Sequence, residues 1–176
     1  VSSRRRHTRS CLKSRGLGDV YKRQVFTNSA MAAHVEVDIE TGFVKVLHFW
    51  AVEDCGRVIN PQLVDEQIRG GIVQGLGGAL FEEIHYDAEG QLLNGSMADY
   101  LVPMAGEMPD MVIGHVETPT RESELGAKGA GEAGTAGAPA AVMNAINDAL
   151  RPLGGQVTEM PFTPERILRA LGTIRN

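Results

Sequence analysis

Apolar residues alternate with polar ones at Val35, Val37 and Ile39. The Glu-Thr-Gly at 40–42 supplies a turn, and residues 43–52 continue as a second, longer strand. This pattern predicts a β-hairpin. Asn60 and Pro61 then form a helix start, because asparagine caps and proline fits the first helical position. The run 62–83 carries Leu63, Ile68, Ile72, Val73, Leu76, Leu80 and Phe81 at helical spacing. Residues 84–95 resemble a second hairpin that turns at Asp87 to Gly90, and 111–117 reads as a strand. Residues 118–136, rich in small side chains, are expected to be a loop, with Pro139 opening the next helix. That helix places Val142, Ile146, Ala149 and Leu150 on one face and stops at Pro152 and Gly154. A last short helix starts at Thr163 and Pro164, with Glu165 near its positive end. Strands and helices are mixed in order, so the expected class is α+β.

Charge divides the chain unevenly. Residues 1–24 hold eight Lys or Arg against Asp19, a balance of +7, while the rest holds nine against 21 acids, a balance of −12. The first 24 residues also lack apolar periodicity and any hydrophobic signal-peptide core. A basic arm and a targeting peptide are alternative readings. The preferred one is a non-native tail similar to translated sequencing-adaptor ends, which leaves 25–176 as the body. The body's acidity argues against nucleic-acid binding. No apolar run reaches the roughly 20 residues of a membrane helix. Cys11 and Cys55 form no metal-binding spacing, and Cys55 reads better as a small buried hydrophobe than as a nucleophile. His34, His48, His85 and His115 are isolated. A reducing, cytoplasmic location is expected.

Two glycine-rich stretches stand out. Residues 70–78 contain five glycines inside a helical pattern, each costing about 1 kcal/mol relative to alanine. Such a run implies close approach by another backbone or by a ligand. Gln74, its one polar residue, is either satisfied within a tight helix seam or presented to a ligand. Residues 129–134, GAGEAG, match a dinucleotide fingerprint by letter, but no strand immediately precedes them and the helix is expected only near Ala138. Glu132, flanked by Gly131 and Ala133, is a solvated loop acid on the simplest local reading. Alternatively it projects into a cavity, where desolvation would raise its pKa toward that of a general base. Asp54 and Asn60, in the 54–61 run DCGRVINP, are expected to fix a turn.

Taken in order, the motifs D-x-G-x-x-I-N-P, Q-x-x-G-G-x-x-Q-G-x-G-x-A-L-x-E-E, L-G-x-K-G-x-G-E-A-G and T-P-E-R-I resemble one family. It is the C-terminal part of the molybdopterin-binding large subunit of the xanthine oxidase, aldehyde oxidase and aerobic carbon monoxide dehydrogenase family. The resemblance covers about residues 33–171. It implies that Glu132 is the general base acting on a molybdenum-bound hydroxyl, and that Gln74 hydrogen-bonds near the metal. It also implies that Gly70, Gly71, Ile72 and Val73, with Lys128, Gly129, Ala130 and Gly131, line the pterin and its tail. The cofactor would be molybdopterin with molybdenum, in its cytosine dinucleotide form. Because the pterin dithiolene holds the metal, no protein metal ligands are expected.

The same resemblance implies partner subunits carrying iron–sulfur clusters and FAD, and a dimer of heterotrimers. Glu132 is followed by Ala-Gly-Thr rather than by the serine typical of carbon monoxide oxidisers, which points to hydroxylation of an aldehyde, an N-heterocycle or a similar small substrate with water-derived oxygen. The substrate-facing loops of the family lie upstream of Val25, so the chain is expected to be a fragment. The rival reading is a non-catalytic α+β binding or structural domain whose glycines only pack helices.

Overall fold

The computed structural model describes residues 25–174. The expectation for residues 1–24 lies outside that range, as does Cys11. A three-stranded sheet, its strands in chain order, is covered on one face by two helices. Strands β1 (Asn28–Val37) and β2 (Val44–Asp54) form the antiparallel hairpin read from the sequence. Asp38 builds its turn by accepting from the amides of Glu40 and Thr41. Gly42, at φ +78°, takes the left-handed conformation that the turn needs. Helix α1 (Pro61–Leu80) then crosses to β3 (Asp110–His115), which runs parallel to β2.

One irregularity decides what the sheet buries. Between the pairs His34↔His48 and Val35↔Val46, Leu47 is an extra residue on β2. Before this bulge even-numbered positions such as Val46 face inward; after it Phe49, Ala51 and Glu53 do. Their partners Met111, Ile113 and His115 on β3 share that inner face. Trp50, Val52 and Val112 are therefore exposed on the outer face.

The helix starts at Asn60 and Thr163 form as expected. The Asn60 side chain accepts from the Leu63 amide, and Thr163 caps α3 (Pro164–Ala170) by accepting from the Arg166 amide; α3 follows helix α2 (Ala133–Leu150) in the chain. Three expectations need correction. Helix α2 opens at Ala133, not near Ala138, so the loop after β3 is shorter than 118–136. Pro139 is an interior residue of that helix. The second hairpin reduces to a single bridge, Tyr86↔Leu92, around the turn at Asp87. Past Leu150, a 3-10 turn (Arg151–Leu153) ends at left-handed Gly154, close to the expected stop.

Phe49, Ile68, Ile72, Leu76, Val142, Ile146, Leu150, Phe162 and Ile167 form the core between sheet and helices. Cys55 is buried, and burial pushes its thiol pKa up, as befits a small hydrophobe rather than a nucleophile. Among the described residues no helix is long and apolar enough to cross a membrane.

Candidate functional site

The two glycine stretches meet. Helix α1 and the head of α2 cross so closely that a Cβ at Gly134 would collide with the Ile68 carbonyl oxygen. A Cβ at Gly71 would lie 3.1 Å from Gly134 Cα, and one at Gly75 would lie 2.8 Å from Ala138 Cβ and 3.0 Å from the Thr135 carbonyl oxygen. This contact also accounts for Pro139. A proline has no N–H for the carbonyl four residues back, and here that carbonyl, Thr135's, lies against Gly75 instead. Packing therefore explains Gly71, Gly75 and Gly134. It does not explain Gly70, Gly78 or Gly131, where an added Cβ would meet nothing.

Glu132 is the residue that precedes α2. Its side chain is exposed rather than enclosed by the described residues. The residues around it are held from α1. Gln67 Nε2 donates to the Gly131 carbonyl at 2.7 Å. The Thr135 hydroxyl lies 3.1 Å from the Gly71 carbonyl oxygen and 3.3 Å from Gln74 Oε1. Gln67, Gly71 and Gln74, at helical i, i+4 and i+7, thus form one face of α1 turned toward residues 131–135. Gln67 and Thr135 were not singled out from sequence. The spacing of Gln67 from Gln74 was the available signal.

The expected cofactor-lining residues do not all face the same way. Gly70 and Gln74 are exposed and Val73 is half-buried, whereas Gly71 and Ile72 point into the seam and the core. In the other stretch Gly129 and Gly131 are exposed and Ala130 is partly so. The amides of Lys128 and Gly129 are occupied, donating to the carbonyls of Cys55 (2.7 Å) and Val25 (3.1 Å). They are not free to form the anion nest that a glycine run offers.

The Lys128 side chain is also occupied. Its ammonium is 3.0 Å from Asp54 Oδ2, with both side chains largely buried. Asp54 Oδ1 accepts from the amides of Gly56 and Thr118, both at 3.0 Å. Hydrogen bonding from Thr118, the Lys128 ammonium and the Gly56 amide hold the Asp54 carboxyl well below the usual carboxylate range. Asp54 thus ties the end of β2 to the loop after β3 and to the glycine loop, which is more than the local turn expected of it. A second pair of motifs is joined likewise: Arg166 of the TPERI run reaches Glu83 with both terminal guanidinium nitrogens, at 2.7 and 3.3 Å.

The result is a rim, open on one side, on which Gly70, Gln74, Gly131 and Glu132 are accessible around a close-packed seam. The absence of a Cβ at Gly70 and Gly131 leaves the backbone there open to close approach. The arrangement supplies one amide and one carboxylate, enough to orient a ligand and accept a proton, and it forms one wall rather than an enclosed cavity.

Comparison with known proteins places the chain, by sequence and fold, in a class. Residues 3–109 match the family model of the molybdopterin cofactor-binding domain. The large subunit of nicotine 6-hydroxylase from Paenarthrobacter nicotinovorans is 50% identical over 148 residues, covering 84% of this chain and 18% of that protein. The carbon monoxide dehydrogenase large chain of Hydrogenophaga pseudoflava is 36% identical over 137 residues, 78% of this chain and 17% of that one. Among solved structures, quinoline 2-oxidoreductase from Pseudomonas putida 86 superposes with a TM-score of 0.80 at 47% identity, over 83% of this chain and 19% of that chain. The chain belongs to the molybdopterin cofactor-binding domain family, within the large subunits related to xanthine oxidase, aldehyde oxidase and carbon monoxide dehydrogenase. It spans about a fifth of the length of these relatives. The family model ends at residue 109, before the glycine loop, but a match of 148 residues must extend beyond that point.

Proposed function

We propose that this chain provides one wall of the cofactor site in a molybdopterin-dependent hydroxylase. The observation that carries the reading is that α1 holds the residues flanking exposed Glu132, Gly131 through Gln67 and Thr135 through Gly71 and Gln74. When bound, the cofactor supplies the two-electron oxidation and the water-derived oxygen. Glu132 is the base, placed at the positive end of α2, where an anion is favoured. Gln74 offers an amide that can donate and accept beside it. The open backbone at Gly70, Gly131 and the partly exposed Ala130, with Val73 beside Gly70 in the helix, would hold the pterin. Lys128 serves this site through its bond to Asp54.

Nicotine and quinoline, in the names of two relatives at 47–50% identity, are nitrogen heterocycles, which supports hydroxylation at an electron-poor ring carbon. The names "large subunit" and "large chain" support an assembly with further subunits. We assign iron–sulfur clusters and FAD to those subunits, the cytosine dinucleotide form to the pterin, a dimer of heterotrimers to the complex and the cytoplasm as its location. The test is turnover of an N-heterocycle by the complete enzyme in H2(18)O. One labelled oxygen per product molecule is expected; product labelled only from O2, or no oxidation of any such ring, would contradict the reading.

A further inference from the structure

Glu53 is a fully buried carboxyl group that the proposed chemistry does not use. Its Oε1 has no hydrogen-bond partner, and its Oε2 has only the Thr27 hydroxyl at 3.5 Å, whose better acceptor is the Asp54 carbonyl at 3.0 Å. Among the described residues one other buried side-chain atom lacks a partner, His115 Nδ1. The two residues are register partners on adjacent parallel strands, and both side chains point to the inner face. Neighbouring strands lie about 4.8 Å apart, so the orphan atoms belong to adjacent side chains; they are not bonded to each other as placed, and a rotation of the Glu53 side chain is what would join them. The other ring nitrogen of His115, Nε2, is 2.5 Å from Asp65 Oδ1 on α1.

The chemistry of these atoms is complementary. Donation of Nε2–H to the Asp65 carboxylate leaves Nδ1 as an acceptor in neutral imidazole. An ionised Glu53 could only accept, and would leave both orphans unsatisfied at a cost the interior does not tolerate. A protonated Glu53 donates. We propose that Glu53, His115 and Asp65 form a buried proton-holding site, in which Glu53 carries the proton and donates it to His115 Nδ1 while His115 Nε2–H is donated to Asp65. Moving that proton across the bridge gives the imidazolium between two carboxylates, so the cluster keeps the same charge in either form.

Burial pushes the Glu53 pKa up from 4.5 to about 7, with Thr27 and His115 opposing the shift. The charged groups on the surrounding elements are Asp54 on β2, paired with Lys128; Asp110 at the start of β3 and Glu117 beyond its end; Asp65, Glu66 and Arg69 on α1; and exposed Glu132 at the head of α2. Strand β1 contributes no charge at this end; Thr27 lies just before it. Between pH 4.5 and 7 the folded chain holds a proton at Glu53 that the unfolded chain has released. Stability from this site is complete below pH 4.5 and is lost as pH rises through 7.

The test needs no cofactor. In the full chain, the 13C carboxyl shift of Glu53 and the 15N shifts of the His115 ring are followed from pH 4.5 to 8, with denaturation midpoints over the same range. The expected result is a Glu53 midpoint near 7, an Nε2–H tautomer below it, and stability falling with a slope of about one proton. In Glu53→Gln the amide replaces the donor, so this component of the slope disappears and the tautomer stays. An Nδ1–H tautomer below pH 7, a Glu53 midpoint near 4.5, or an unchanged slope in Glu53→Gln would overturn the proposal. Should that variant not fold, the wild-type spectra alone decide.

Discussion

Thr135 stands between Gly71 and Gln74, its hydroxyl 3.1 Å from the carbonyl oxygen of one and 3.3 Å from the side-chain oxygen of the other. A hydroxyl has one proton. Both contacts are fully made only when Thr135 donates to Gly71 and Gln74 turns its NH2 inward to donate to Thr135, which directs the Gln74 oxygen outward. Thr135→Val keeps the shape and removes the bond. It should cost about 1 kcal/mol of stability, and it should lower kcat of the complete enzyme by freeing Gln74. Denaturation curves and steady-state kinetics check the two parts. Unchanged kcat would show that Gln74 needs no such hold.

The glycines of α1 and α2 separate into two kinds. Gly134→Ala forces a methyl into the Ile68 carbonyl and should destabilise by about 3 kcal/mol or more, at the upper end of overpacking. Gly78→Ala meets nothing and should stabilise by about 0.5–1 kcal/mol through helix propensity. Urea denaturation of the two variants is the check, and equal effects would contradict the seam.

Asp54 sets the opposite pH dependence to Glu53. Its carboxyl is held below the ordinary range by Thr118, Lys128 and Gly56, so its contribution is present above about pH 4 and is lost as pH falls below that. Lys128→Met should lower the denaturation midpoint and start acid unfolding at higher pH, seen by circular dichroism between pH 2 and 5. An acid limb identical to wild type would show that the pair contributes nothing.

The features legible in sequence were local. Asn60–Pro61, Thr163–Pro164 and the turn at Gly42 carry their instructions within a few residues, and each formed as read. The ordered motifs identified the family, and the structure joins two of them to others directly, as Asp54 to Lys128 and Glu83 to Arg166. What escaped depends on distant partners. Pro139 resembled a helix start, and its place inside α2 makes sense only once Gly75 lies beside the Thr135 carbonyl. The burial of Glu53 was hidden by the extra residue at Leu47, which reverses the inward phase of β2. The roles of Gln67 and Thr135 follow from the helix crossing, which no local pattern records.

The central claim is that Glu132 is the proton acceptor of the cofactor site. Its most direct measurement is turnover of Glu132→Gln in the complete enzyme, with molybdenum content determined on the same preparation. The account predicts full metal content with kcat lower by at least about 100-fold, the scale of general-base catalysis. Near-wild-type kcat at full metal content would contradict it.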